Sequence, residues 1–207
     1  MTWGKRIFDL ACAFTLTLLI FPFFGWICLR IWWEGDGPIF YVSERMHAPN
    51  KPFGLIKFRT MSVAHDGDQG VTGGSKMQRI TPLGAALRKR RFDELPQLWN
   101  IFKGDITVVG PRPPLREYVE RYPDVYDQVL KSRPGVTGLA SLIFHRREAE
   151  LLENCVDPQE TDDVYCRICI PAKAKLDLMY QRNANLCLDT WILYRTLRQM
   201  LARKGPR

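Results

Sequence analysis

The sequence has little from which to build a metal centre. It holds three His, and its one close cysteine pair, Cys166-Arg-Ile-Cys169, has no second pair to complete a tetrahedral zinc site. A secretory cleavage site is also missing: the apolar run from Leu10 to Leu29 passes straight into Arg30, Ile31, Trp32 and Trp33. The six cysteines, Cys155 and Cys187 among them, therefore read as free reduced thiols. There is no P-loop, because DGDQGVTGGSK (66–76) carries Gly-Ser-Lys where Gly-Lys-Ser is needed. That stretch reads as a glycine-rich mobile loop, a candidate lid. Internal repeats and low-complexity linkers are absent, which leaves one soluble domain with a membrane appendage in 207 residues. Acidic residues are in the minority, 22 against 30 Lys and Arg, for a net charge of +8. Such an excess suits an anionic partner: nucleic acid, an acidic membrane face or a phosphorylated substrate. A basic groove with regularly spaced stacking aromatics is lacking, which argues against nucleic acid.

What is present begins with about twenty uncharged residues, LACAFTLTLLIFPFFGWICL, long enough for a membrane helix. Pro22 interrupts the run, and basic residues flank both sides of it: Lys5 and Arg6 before, the basic bulk of the chain after. Basic flanks favour the cytoplasm, so a straight span would put one flank on the wrong side. A helix broken at Pro22 that enters and leaves by the same face satisfies both, with Trp26, Trp32 and Trp33 at the interface. A straight span is the competing reading, since Pro is tolerated in true spans. Residues 1–35 are thus expected to form a re-entrant anchor and 36–207 a cytoplasmic domain.

The fold class expected is α+β: a small, mainly helical domain with a short β-hairpin. IFYVSERM and FGLIKFRTM read as the two strands, with HAPNKP as the turn. Alternation places Lys57 and Arg59 on one face of the second strand. Thr81-Pro82 opens a helix that runs to about Arg91, and Asp93 is expected to N-cap a second helix. Leu95, Leu98, Trp99 and Phe102 give that helix its apolar stripe, and Gly104 ends it. DITVV reads as a short strand, and GPRPP as a rigid turn holding Arg112. The chain after RPGVTG is helical in character up to Arg207. Near its end Leu186, Trp191, Leu193, Leu197, Met200 and Leu201 alternate with Arg195, Arg198, Arg203 and Lys204. This basic amphipathic pattern suits either an anionic membrane surface or the core.

Asp93 and Glu94 stand directly behind the basic run Arg88-Lys89-Arg90-Arg91. At a helix N-terminus beside Arg88, Asp93 is expected to stay ionised, able to ligate Mg²⁺ or attack phosphorus. Glu94 could ligate metal, orient the nucleophile or move a proton. Lys57, Arg59, Arg88 and Arg112 could neutralise phosphate charge in the transition state. In the bland alternative Asp93 only caps its helix and Glu94 pairs with Arg90 or Arg91.

KRIFDLACA, PIFYVSERM, LIKFRTM, RKRRFDELPQLWNIFKGDITVVGPRPPL and RPGVTGLA, in this order, closely resemble the bacterial sugar transferases, monotopic phosphoglycosyl transferases. The resemblance implies a re-entrant helix and a catalytic domain on the cytoplasmic face of the inner membrane. It implies transfer of a sugar 1-phosphate from a UDP-sugar to polyprenol phosphate, with undecaprenyl phosphate as the expected acceptor, with Mg²⁺ and release of UMP. Asp93 would be the covalent nucleophile and a metal ligand, with Glu94 its partner. Lys57, Arg59, Arg88 and Arg112 would bind phosphate, and Asp177 in LDLMY would be a further site carboxylate. The chain looks like the minimal form of the family. It departs from the pattern in RREAELLENCVDPQETDDVYCRIC, which leaves the sugar open. Two rivals stand: direct attack by the lipid phosphate without a covalent intermediate, and a non-catalytic basic protein that binds acidic lipid or nucleic acid.

Overall fold

The computed structural model describes residues 2–35, 37–62, 79–153, 155 and 157–202. The glycine-rich stretch 66–76, Arg203 and Lys204 lie outside the described residues. Helix α1 spans Trp3–Trp33, with the Thr2 hydroxyl accepting from the Lys5 amide as its cap. Pro22 lies inside α1 and does not end it, contrary to the expected break. Proline removes one i→i−4 bond, and the hydrogen-bond ladder persists on either side of it.

Both ends of α1 rest on the rest of the chain. At the first, Lys5 Nζ donates to the carbonyl of Val109 (2.9 Å), the Tyr180 hydroxyl (3.0 Å) and the Asp189 carboxylate (2.6 Å). Asp9, fully buried, accepts from Thr107 Oγ1 (2.6 Å) and the Val108 amide (3.0 Å). At the second, Ile27 and Ile31 pack with Phe58 and Leu87. Between the two, Phe14, Leu18, Leu19 and Phe21 are exposed.

Strands β1 (Phe40–Ala48) and β2 (Lys51–Phe58) form the expected hairpin, antiparallel with Phe40 opposite Phe58 and an irregularity between Met46 and Ala48. Helix α2 covers Pro82–Lys89, capped by the Thr81 hydroxyl. Helix α3 covers Gln97–Lys103 and ends at Gly104, whose φ of 90° only glycine adopts freely. Buried Asn100 on α3 donates to the Gly54 carbonyl (2.8 Å) and accepts from the Ile56 amide (3.0 Å), so it satisfies the open edge of β2.

Strand β3 (Thr107–Val109) pairs in parallel with β4 (Gly135–Thr137). The second of these was expected only as the approach to a helix. Its ladder is made by backbone alone and depends on close contact. A Cβ on Gly135 would lie 2.3 Å from the Gly110 amide nitrogen, and one on Gly138 would lie 2.2 Å from the Gly110 carbonyl oxygen. Two short helices, α4 (Arg116–Arg121) and α5 (Pro123–Val129), intervene. Beyond β4 the described chain is helical, as expected: α6 (Leu139–Glu153), α7 (Pro158–Val164), a π-helical turn over Tyr165–Cys169, α8 (Ile170–Asn183) and α9 (Leu186–Ala202). The main core joins Ala13, Leu55, Ile101, Ile106, Val109, Leu139, Tyr180 and Ile192. On α9, Asp189 and Ile192 face that core, whereas Leu186, Trp191, Leu197 and Met200 are exposed and Leu193 is partly buried against it.

Candidate active site

The chain between α2 and α3 sets the site. Arg91, at φ 57° and ψ 23°, is the one residue other than glycine with positive φ among those described, and it turns the backbone out of α2. Phe92–Glu94 then form a 3₁₀ turn, with amide bonds from Glu94 to Arg91 and from Leu95 to Phe92. This corrects the expected cap at Asp93. The i→i+3 bonding carries on past Pro96, and the α-helix begins only at Gln97. Phe92 meets Phe23 of α1 edge-on at 5.2 Å between ring centroids, tying the turn to the apolar helix.

Glu94 is held by three cations: Arg91 (2.6 Å), Arg112 (2.9 Å) and Lys57 (3.7 Å). Burial would push its carboxyl up, but Arg112, Arg91 and Lys57 together outweigh burial and bring it down to about 2. The bland pairing with Arg91 is thus present, as one contact of three. Asp93 differs: it makes no ion pair within 4.0 Å among the described residues. Burial, then the neighbouring Glu94, raise its carboxyl above the ordinary aspartate value, against the pull of Lys57 and Arg88. Asp93 was expected at a helix N-terminus beside Arg88; it lies instead in the 3₁₀ turn, where Arg88 does lower its carboxyl but burial and Glu94 raise it more.

Arg88 donates from Nε to Thr60 Oγ1 at 2.8 Å. That contact needs Gly84, because a Cβ there would come 2.1 Å from the Thr60 carbonyl oxygen. Arg112 is aimed by the β3–β4 ladder, with the Gly135 amide donating to the Pro111 carbonyl at 2.7 Å. Lys57, lowered by burial, points to Glu94. Arg59 does not join it. Strand β2 ends at Phe58, the alternation ends with it, and Arg59 turns to donate to the Ile31 carbonyl of α1 at 3.3 Å.

A cavity of about 520 Å³ opens beside the turn. Arg88, Arg91 and Arg112 line it together with Arg45, Lys173 and Asp177. Asp177 is buried, and burial raises its carboxyl to about 7 although Lys173 pulls it down. The structure thus joins Asp93, Glu94, Lys57, Arg88 and Arg112 by charge contacts, puts Arg88 and Arg112 on the cavity wall with Asp177, and turns Arg59 to the Ile31 carbonyl. Sequence reasoning missed Arg45, Tyr165, Lys173 and Glu148 on the cavity wall. The spacing of Tyr165, Lys173 and Asp177 in multiples of four was the available signal for three residues on one helical stripe. Cys166 and Cys169 are buried in the π-helical turn, and the described residues hold no cluster of three or more His, Cys, Asp or Glu.

The donor set fits Mg²⁺ in its usual enzymatic form, in which one or two carboxylates suffice and substrate phosphates and water complete the shell. Asp93 is the carboxylate without an ion pair among the described residues, and a divalent ion would offset the burial and the Glu94 repulsion that raise it.

Residues 1–203 match the model of the bacterial sugar transferase family. The sugar transferase EpsL of Bacillus subtilis is 33% identical over 97% of this chain and 89% of its own length. The UDP-N-acetylgalactosamine-undecaprenyl-phosphate N-acetylgalactosaminephosphotransferase of Aeromonas hydrophila is 30% identical over 98% of this chain. The UDP-glucose:undecaprenyl-phosphate glucose-1-phosphate transferase of Klebsiella pneumoniae is 29% identical over 93%. The chain covers 45% and 39% of these last two, less than half of each. The match to the family model almost from end to end, with the 33% identity to EpsL, places this protein in the bacterial sugar transferase family.

Proposed function

We propose that this chain transfers a sugar 1-phosphate from a UDP-sugar to polyprenol phosphate at the cytoplasmic face of the membrane. The transfer starts assembly of a cell-envelope glycan or exopolysaccharide. The names of the Aeromonas and Klebsiella relatives point to undecaprenyl phosphate as acceptor. An Asp93 carboxylate oxygen attacks the phosphorus of the sugar phosphate. The bond from that phosphorus to the UMP oxygen breaks, and UMP leaves with the electron pair. An oxygen of the lipid phosphate then attacks the same phosphorus and releases Asp93. Lys57 and Arg88 lie close enough to act on the Asp93 charge, so they also face the attacked phosphorus. Glu94, ionised down to about pH 2, is a poor proton carrier near neutrality; it orients Arg91, Arg112 and Lys57 instead. Asp93 is the residue that would hold Mg²⁺, and the ion when bound would supply charge neutralisation of the diphosphate.

The observation that carries this reading is the pairing of opposites within one turn: Glu94 saturated with cations and Asp93 with none within salt-bridge distance. Protein in detergent, mixed with polyprenol phosphate and a panel of UDP-sugars, should release UMP with at least one of them. Without lipid it should give one UMP per active site and a sugar phosphate on the peptide containing Asp93. No UMP from any sugar would end the reading. Turnover without burst or adduct would leave the transfer standing and replace the covalent step with direct attack.

The packing of α1 supports a re-entrant anchor. Its first foot binds α8, α9 and β3, its second binds β2 and α2, and the exposed apolar middle lies between. A helix that crossed the bilayer could not rest both feet on one domain. Trp26, Trp32 and Trp33, and Trp191 with Arg195 over its ring at 5.6 Å, are exposed as interface residues are.

A further inference from the structure

Arg45 belongs to the strand motif PIFYVSERM and carries no expected site role there, yet it lies on the wall of the cavity with Arg112 and Tyr165. It sits on β1 opposite Phe53, and the following residue, Met46, donates its amide to the Pro114 carbonyl at 3.1 Å, next to the turn that carries Arg112. Its Nε is buried without a hydrogen-bond partner among the described residues. Nor does it form an ion pair within 4.0 Å there. A desolvated guanidinium with an idle donor, close to a second guanidinium, is costly unless an anion comes between them. Glu94, a carboxylate that acts on Arg45, is already bound by Arg91, Arg112 and Lys57. We propose that Arg45 binds substrate, its guanidinium joining Arg112 to hold the phosphate of UMP as the leaving group.

The order of charges across the site selects that phosphate. Lys57 and Arg88 are the cations that act on Asp93. Arg45 instead interacts with Arg112, Tyr165, Tyr41 and Glu94, and burial and then Arg112 make its guanidinium more acidic than usual. Lys57 interacts with both Asp93 and Arg45 and pairs with Glu94, so the site runs from Asp93 with Arg88, through Lys57 and Glu94, to Arg112, Arg45 and Tyr165. In phosphoryl transfer the attacking and leaving oxygens are roughly in line. With Asp93 at one end, the oxygen that departs lies at the other, where a planar guanidinium can take two phosphate oxygens at once. Tyr118 and Tyr165, with ring centroids 5.0 Å apart, give the nucleoside an aromatic wall on that side.

This assignment rests on the proposed reaction for its choice of ligand, so the test measures binding apart from turnover. UMP and uridine are titrated calorimetrically against the full chain in lipid nanodiscs. The wild type should bind UMP more tightly than uridine. Arg45→Met, which keeps the stem and loses the charge, should weaken UMP about tenfold or more and leave uridine unchanged. Arg45→Lys should fall between them, and it stands in if the Met variant does not fold. The inference is overturned if the wild type does not bind UMP, if the variants bind it as the wild type does, or if UMP and uridine weaken in parallel. Arg45-dependent UMP binding without release of UMP from any UDP-sugar would end the proposed reaction alone. Turnover with UMP affinity indifferent to Arg45 would end this assignment alone.

Discussion

Glu94 accepts from Arg91 and Arg112 and lies within 3.7 Å of Lys57, so removing its charge frees three cations at once. Glu94→Gln should therefore cut turnover by about 10² or more, in the range of a lost oxyanion-type donor, and lower the unfolding midpoint as three cations lose their buried counter-charge. Activity within about threefold of wild type would reduce the cluster to a surface ion-pair network. Asp177 allows a test that does not involve catalysis. Its folded value of about 7 lies above the ordinary 3.8, so the fold favours its neutral form. The stability this contributes is fully present below about pH 3.8 and is lost as pH rises through about 7. Asp177→Asn should flatten that profile, raising the melting temperature relative to wild type by about 3 °C or more at pH 8, with little difference at pH 4. Parallel profiles would show that Asp177 is solvated or paired in solution.

Among the elements, α2 carries the tightest contact on which the site depends. Gly84→Ala places a methyl against the Thr60 backbone at 2.1 Å, with no flexible side chain to yield. A loss of about 1–3 kcal/mol is expected, as for overpacked interiors, along with reduced turnover, because Arg88 sits one turn on and bonds Thr60. Unchanged stability and activity would mean that α2 shifts freely.

What the sequence disclosed about elements follows how local their causes are. The hairpin, the Thr81 cap and the Gly104 stop were legible because alternation, a hydroxyl and a left-handed glycine each act within a few residues. The β3–β4 pair was not. It joins two three-residue strands far apart in sequence through backbone groups, and the glycines that permit it look like ordinary turn residues. Within the site, Asp93, Glu94, Lys57, Arg88 and Arg112 stood out by type and neighbours. The divergence of Arg59 depends on where β2 stops, and the burial of Arg45 on a neighbouring turn reached through Pro114. The 3₁₀ turn at the dyad hinges on a positive φ at Arg91, a residue type that gives no warning of it.

For the molecule as a whole, the two feet of α1 predict its topology. Single cysteines near residues 3 and 36, in a background without the native six, should both resist membrane-impermeant reagents applied to intact cells. Labelling of the residue 3 site alone would make α1 a full span. The same feet set an order of events during synthesis. Lys5 leaves the ribosome well ahead of the Asp189 that binds it, which follows 184 positions later. Translation proceeds at about 5–20 residues per second, so α1 waits about ten seconds or more for that partner. With α1 as the proposed anchor, the helix meets lipid before it meets its own domain, and the domain completes its fold around a helix already at the membrane.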